Sequence, residues 1–189
     1  MKLNKKLTAK LQKIRLFAMD VDGVLTAGEM IVTGPGKEIK IWDYKDRFAF
    51  AMLRRSGLDI KFSWITARES EEVLERSKDL KIEFVYTNYS TKLTAIEDII
   101  SKNGYSYDEI MYFGDDLIDI PIMKKAGVAI CPADAVDEVK KYVHYICKHN
   151  GGKGAFREVA EMILHAHDKY GYIMQQFTGS DGAYKKWPL

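Results

Sequence analysis

Short apolar runs alternate along the chain with longer stretches in which apolar residues recur every three or four positions. The runs Ile14–Met19, Asp59–Ile65, Ile82–Tyr86, Glu109–Phe113 and Val128–Cys131 have strand length. Between them, Arg47–Arg55, Glu69–Lys78, Thr91–Lys102, Asp119–Lys125 and Ala135–Lys141 have helical period. Such alternation predicts an α/β fold of three layers, a Rossmann-like parallel sheet with helices on both faces. A last helix is predicted over Ala155–Tyr170, where Phe156, Val159, Ala160, Ile163 and Leu164 fall on one face.

One segment breaks the alternation. Gly28–Asp43 reads as two short strands around the turn signal Gly34-Pro35-Gly36. Ile39 and Ile41 alternate with Glu38 and Lys40, whereas Met30-Ile31-Val32 is apolar on both faces, so this hairpin is expected to pack on more than its own sheet. The periodic pattern stops after Gly171. One domain over residues 1–170, with the hairpin inserted at 28–43, and a tail at 171–189 are therefore expected.

Composition changes this picture little. The 189 residues are 47% hydrophobic and 30% charged, as in ordinary globular domains. A chain of this length buries roughly 70% of its unfolded surface and needs no disulfide or zinc staple. Lys and Arg number 29 against 27 Asp and Glu, a balance that calls for neither nucleic acid nor a membrane surface as partner. Cys131 and Cys147 lie in apolar surroundings without Cys-x-x-Cys spacing, which suits buried thiols in a reducing compartment. No secretory signal or membrane-length apolar run is seen, so a cytoplasmic protein is expected.

The strongest chemical signal is Phe17-Ala18-Met19-Asp20-Val21-Asp22-Gly23-Val24-Leu25-Thr26. An apolar strand ends in two carboxylates two residues apart, at the sheet edge where open parallel sheets bind ligands. Paired carboxylates repel unless a cation intervenes, and hard oxygen ligands suit magnesium. Asp-x-Asp-Gly also caps turns well, which is the plainer reading of the segment taken alone.

Three further segments follow later strands. Ser63-Trp64-Ile65-Thr66-Ala67-Arg68 places a hydroxyl and a guanidinium beyond a strand, and Thr91-Lys92-Leu93 places an ammonium at a helix start. A lysine there opposes the helix dipole but serves an anion, although a solvated surface lysine fits the sequence too. Tyr112-Phe113-Gly114-Asp115-Asp116-Leu117-Ile118-Asp119 supplies a second carboxylate pair, whose members also make good helix caps. His165 and His167 face different directions on their helix, and His144 and His149 have no partner at zinc-like spacing.

Asp20-Val-Asp-Gly-Val, Thr66, Lys92 and Gly114-Asp-Asp-x-x-Asp resemble, in order and spacing, the four motifs of the haloacid dehalogenase superfamily. With Gly151-Gly152-Lys153-Gly154-Ala155-Phe156-Arg157-Glu158-Val159, the chain is similar from Ile14 to Ala166 to the 3-deoxy-D-manno-octulosonate 8-phosphate phosphatases and their sialic-acid-type relatives. That resemblance implies a phosphatase without a large cap domain, whose hairpin builds a homotetramer. It also implies Asp20 as nucleophile, Asp22 as proton shuttle, and Thr66 and Lys92 as binders of the phosphoryl group. Mg2+ would be held by Asp20, the Asp22 backbone carbonyl and Asp115, with Asp116 behind these ligands or reaching the ion through water, while Asp119 orients Lys92. Gly23, Asp46, Arg68 and Lys92 would contact the substrate.

The chain departs from that pattern at three places. Asp46-Arg47-Phe48-Ala49 stands where Asp-Gly-x-Gly is usual, Ala67 replaces a glycine, and Lys153 replaces an arginine, losing a bidentate fork. Arg68 resembles the octulosonate group, whereas the nononate 9-phosphate phosphatases carry glutamate there. A nononate ester is the alternative substrate. A non-catalytic oligomerisation module is a third reading, disfavoured by the intact motif residues, and a receiver domain needs no acid such as Asp22. The tail, with Tyr172, Phe177, Tyr184 and Trp187, is expected either to reach an adjacent site or to stay unstructured.

Overall fold

Strand β1 (Leu16–Met19) is buried along its whole length and lies inside a six-stranded sheet. The structure, a computed structural model, describes residues 4–34 and 37–178. The hairpin strands are β2 (Ile31–Gly34) and β3 (Lys37–Ile39). The remaining strands of the large sheet are β4 (Lys61–Ile65), β5 (Phe84–Tyr86), β6 (Ile110–Phe113), β7 (Val128–Cys131) and β8 (Tyr145–Ile146). Their order is β5-β4-β1-β6-β7-β8, with every pairing parallel. The chain winds outward from β1 to β4 and β5, then returns to lay β6 on the other side of β1. That reversal opens a crevice at the carboxyl end of β1, the place where doubly wound sheets bind ligands.

Alternation along β1 divides the core in two. Phe17 and Met19 pack with α1 (Lys5–Leu11), α2 (Tyr44–Arg55), α3 (Glu71–Asp79) and α7 (Ala155–Ala166), where Phe50, Phe62, Trp64 and Phe156 form an aromatic cluster. Leu16 and Ala18 pack on the other face with α4 (Lys92–Asn103), α5 (Ile120–Met123) and α6 (Asp137–Lys140), through Ile96, Ile99, Ile122 and Val139. The three-layer α/β expectation is met, and the five strands and five helices read from periodicity are all present, most with ends shifted by one to three residues.

The chain ends differ from the sequence reading. Residues 5–11 form α1, capped by the Asn4 side chain accepting from Leu7 N at 2.7 Å. The last long helix stops at Ala166, with Asp168 in the left-handed region at φ 56°. A further helix, α8 (Tyr170–Thr178), then follows where the pattern was read as ended. Gly171 weakens that helix intrinsically, but burial of Ile173 and the tilted packing of Phe177 against Phe48 (4.9 Å between centroids) hold it. Phe48, where the resemblance leads one to expect a smaller residue nearby, puts its ring into this helix's seat. Tyr184 and Trp187, like the turn residues Pro35 and Gly36, lie outside the described residues.

The hairpin pairs Ile31 with Ile39 and stands apart from the main sheet. Met30, Ile31, Val32, Ile39 and Ile41 are exposed on it, Val32 at 66%. Its two apolar faces are thus uncovered in a single chain, as the sequence predicts.

Candidate active site

The loop after β1 is wound tightly enough to point several groups into the crevice. Val21 O accepts from Leu25 N (2.9 Å) and Thr26 N (3.1 Å), and Asp20 N donates to Phe113 O (2.9 Å), tying β1 to β6 just before the loop. Glycine is required at its tip. Gly23 has φ +83°, and a Cβ there would stand 2.1 Å from Asp115 Oδ2. From beneath, the loop is braced by Gly151 and Gly152. Gly152 N donates to Val24 O at 2.9 Å, and a Cβ on Gly151 would fall 1.7 Å from the Gly23 carbonyl oxygen. The glycine-rich segment noted in the sequence therefore permits a close backbone approach, with Lys153 exposed beside it.

Asp20 is almost wholly buried; its Oδ1 accepts from Val21 N at 2.6 Å and its Oδ2 pairs with the Lys92 ammonium. Lys92 opens α4 and is itself buried, so it is no surface lysine. Burial alone would lower its pKa, but the charges of Asp20 and Asp119 hold it above the usual lysine value. Asp119 is saturated with donors. Its Oδ1 takes Lys92 Nζ (2.8 Å) and the Tyr112 hydroxyl (2.7 Å), and its Oδ2 takes Asp115 N (2.9 Å) and Asp116 N (3.2 Å).

Asp115 is the opposite case. Its Oδ1 is buried without a hydrogen-bond partner among the described residues. Burial, followed by the charges of Asp20 and Asp119, pushes its pKa up to about 8. Asp20 is likewise raised by burial, against the lowering effect of Lys92. Ligand oxygens of Asp20, Asp115 and Asp119 lie within 4.8 Å of one another. Three carboxylates against one ammonium, with one oxygen lacking a donor, is a donor set that fits a hard divalent cation. Since Asp119 is already saturated, Asp20 and Asp115 are the side chains free to ligate.

Asp22 points to the outer side of the crevice. Its Oδ1 ion-pairs with Lys40 Nζ at 2.5 Å, and its Oδ2 accepts from Thr66 Oγ1 at 3.4 Å. Thr66 is buried at the end of β4, and its oxygen also accepts from Arg68 N at 3.2 Å. Arg68 is half exposed and pairs with Glu38 Oε2 at 2.6 Å.

Two candidate residues are turned elsewhere. Asp46, read as a substrate contact, is buried, and its carboxylate accepts from Gly154 N (3.1 Å) and Arg157 N (2.8 Å) at the start of α7. Those orphan helix-terminal donors engage both of its oxygens. Asp116 is exposed and caps its own short helix through Leu117 N (2.6 Å), outside the carboxylate cluster. Conversely, the sequence reading assigns no role to Tyr112 or Lys40, which do reach the site. Tyr112 stands in a quoted motif as a strand residue. Lys40 was legible only as one member of an alternating pair with Glu38.

The sequence model of the haloacid dehalogenase-like hydrolase family matches residues 45–159. The 3-deoxy-D-manno-octulosonate 8-phosphate phosphatase of Escherichia coli is 36% identical over 161 residues, 85% of each chain. The structure of the corresponding Moraxella catarrhalis enzyme, in complex with magnesium, phosphate and the sugar acid, superposes with a TM-score of 0.88 at 33% identity, covering 93% of this chain and all of that one. The cobalt-bound Haemophilus influenzae enzyme gives 0.80 at 35% identity, covering 85% and 93% of the two chains. The chain belongs to the haloacid dehalogenase-like hydrolases and is a phosphatase of that family.

Proposed function

We propose that the chain hydrolyses the phosphomonoester of 3-deoxy-D-manno-octulosonate 8-phosphate with Mg2+, through an aspartyl-phosphate on Asp20. The observation that carries this is the buried Asp20–Lys92–Asp119 ion-pair chain beside Asp115 at the sheet's switch point. It joins a carboxylate to the charge needed to hold a phosphoryl group. The substrate is taken from the relatives above, with which the chain shares a matched stretch covering 85% of both.

In this reading Asp20 attacks phosphorus and splits one hard displacement into two easier ones. Lys92 and Thr66 hold phosphoryl oxygens, and Asp119 keeps Lys92 in place. Asp22 gives a proton to the leaving sugar oxygen and later takes one from the attacking water. Asp20, Asp115 and the Asp22 backbone carbonyl would hold Mg2+, which when bound neutralises charge on the phosphoryl oxygens. Gly23 lets the loop approach the substrate, and Arg68 faces the sugar acid from the rim. Asp46 supports the site by anchoring α7 and the glycine loop, and Asp116 by capping, in place of the direct contacts expected of them.

The exposed hairpin supports a homotetramer in which neighbouring copies cover Ile31, Val32, Ile39 and Ile41. The hairpin and residues up to about Thr178 then form one catalytic domain with α8 packed onto it. A charged sugar phosphate and two buried free thiols fit a cytoplasmic enzyme.

Phosphate release with magnesium, measured across a panel of sugar phosphates, tests the substrate. The octulosonate 8-phosphate should give the highest kcat/KM, above nononate 9-phosphate and common hexose phosphates. A preference for another ester by about tenfold or more would overturn the assignment.

A further inference from the structure

The proton-transfer role of Asp22 requires that its carboxylate be held where the leaving oxygen will stand. Asp22 is partly exposed, on a loop with a glycine beside it, and among the described residues nothing on its own loop fixes the side chain. Two groups from elsewhere do so. Thr66 Oγ1 reaches one oxygen at 3.4 Å, a long contact, while Lys40 Nζ reaches the other at 2.5 Å.

Lys40 follows β3 directly, and its side chain is only 6% exposed. Its ammonium lies between two carboxylates, those of Asp22 and Glu38, with Glu38 Oε1 at 3.1 Å. Glu38 is held in turn by Arg68, through Oε2 at 2.6 Å. The charges alternate as Asp22, Lys40, Glu38, Arg68, and run from the crevice up the hairpin and back to the loop after β4. A buried ammonium engaged by two carboxylates has little left with which to bind a substrate anion.

We propose that Lys40 is a positioning residue for Asp22, delivered by the hairpin and itself aligned by Glu38 and Arg68. This rests on the phosphatase reading above. It gives the hairpin a part in the chemistry of its own subunit, in addition to any part in assembly. Displacement of a reacting group by about 1 Å can cost on the order of 100-fold in rate, so loss of the Lys40 contact should register in turnover.

The test uses K40M, K40R, D22N and the D22N/K40M double variant of the full chain with magnesium. On octulosonate 8-phosphate, K40M should lower kcat by about tenfold or more with KM nearly unchanged, and K40R should recover most of it. On p-nitrophenyl phosphate, whose leaving group needs no proton, the pre-steady-state burst of nitrophenolate should slow by less than about threefold. K40M should cost nothing further in the D22N background. Equal losses in the wild-type and D22N backgrounds, an effect on KM alone, or unchanged kcat in K40M would each overturn the proposal. So would a crystal structure of K40M in which the Asp22 carboxylate keeps its place. An active wild type with an indifferent K40M removes this proposal alone. A wild type that hydrolyses no ester removes the phosphatase reading and the proposal with it.

Discussion

Asp20, Asp115 and Asp119 bring three carboxylates to one ammonium, and the charge imbalance sets how this site behaves before any substrate arrives. Asp115 binds its proton more tightly folded, up to about 8, than at its ordinary value of 3.8, because it is buried beside Asp20 and Asp119. Asp20 shifts in the same direction, chiefly through burial. Between the ordinary and folded values the folded chain carries more protons than the unfolded one, so without a cation stability falls as pH rises through that window. A divalent ion takes the place of those protons. Magnesium should therefore raise Tm only slightly near pH 5 and clearly more near pH 8, in thermal melts compared with EDTA controls. A Tm gain independent of pH would show that the ion binds somewhere other than these carboxylates. The identity of these residues was legible from sequence because each follows a strand. Their states were not, since burial and the saturation of Asp119 by four donors depend on what packs around them.

At the scale of elements, periodicity is a good guide where a strand or helix is long enough to show its face. The central strands and α2, α4 and α7 were legible for that reason. α1 and α8 were not, being short and basic or glycine-containing, with their stability set by docking on the core. Asp46 illustrates the same limit for a side chain. The resemblance implies a substrate contact for it, yet its carboxylate caps α7, a helix more than a hundred residues later in the chain. D46A should therefore destabilise the fold by about 1–3 kcal/mol, because it leaves the buried Gly154 N–H without its partner and loosens the α2–α7 contact. Chemical denaturation would measure this. A loss of activity with an unchanged denaturation midpoint would instead return Asp46 to the substrate. Lys40 shows how a pairing across elements escapes the sequence: Glu38 and Lys40 share a strand face by alternation, but only the fold sets Asp22 opposite them.

For the whole molecule, the parallel topology gathers the four motif segments at one edge, which is why strand ends alone located the crevice. The same reading anticipated that the hairpin would be apolar on both sides, and in the single chain Met30, Ile31, Val32, Ile39 and Ile41 remain exposed. A charge placed there should be costly only if another copy covers it. Ile31→Asp should split the assembly into smaller species by analytical ultracentrifugation without lowering Tm of the separated subunit by more than about 1 °C. A wild type that sediments as a monomer while fully active would refute the tetramer and leave the chemistry at β1 untouched. The bulky Arg47 and Phe48, unusual at their positions, are taken up in packing: Arg47 pairs with Asp79 at 3.7 Å, and Phe48 lies between Phe177 and Arg157. The docked α8 gives Phe48 a structural reason that its position in the sequence does not show.

Asp20 is the group proposed to receive the phosphoryl, and peptide mass mapping of acid-quenched protein addresses this directly. Wild type and D22N are mixed with octulosonate 8-phosphate and magnesium, quenched and digested. A phosphoryl group should appear on the peptide holding Asp20, and D20N should carry none and release phosphate at less than about a thousandth of the wild-type rate. Phosphoryl transfer to another residue, or near-normal turnover by D20N, would contradict a nucleophilic Asp20.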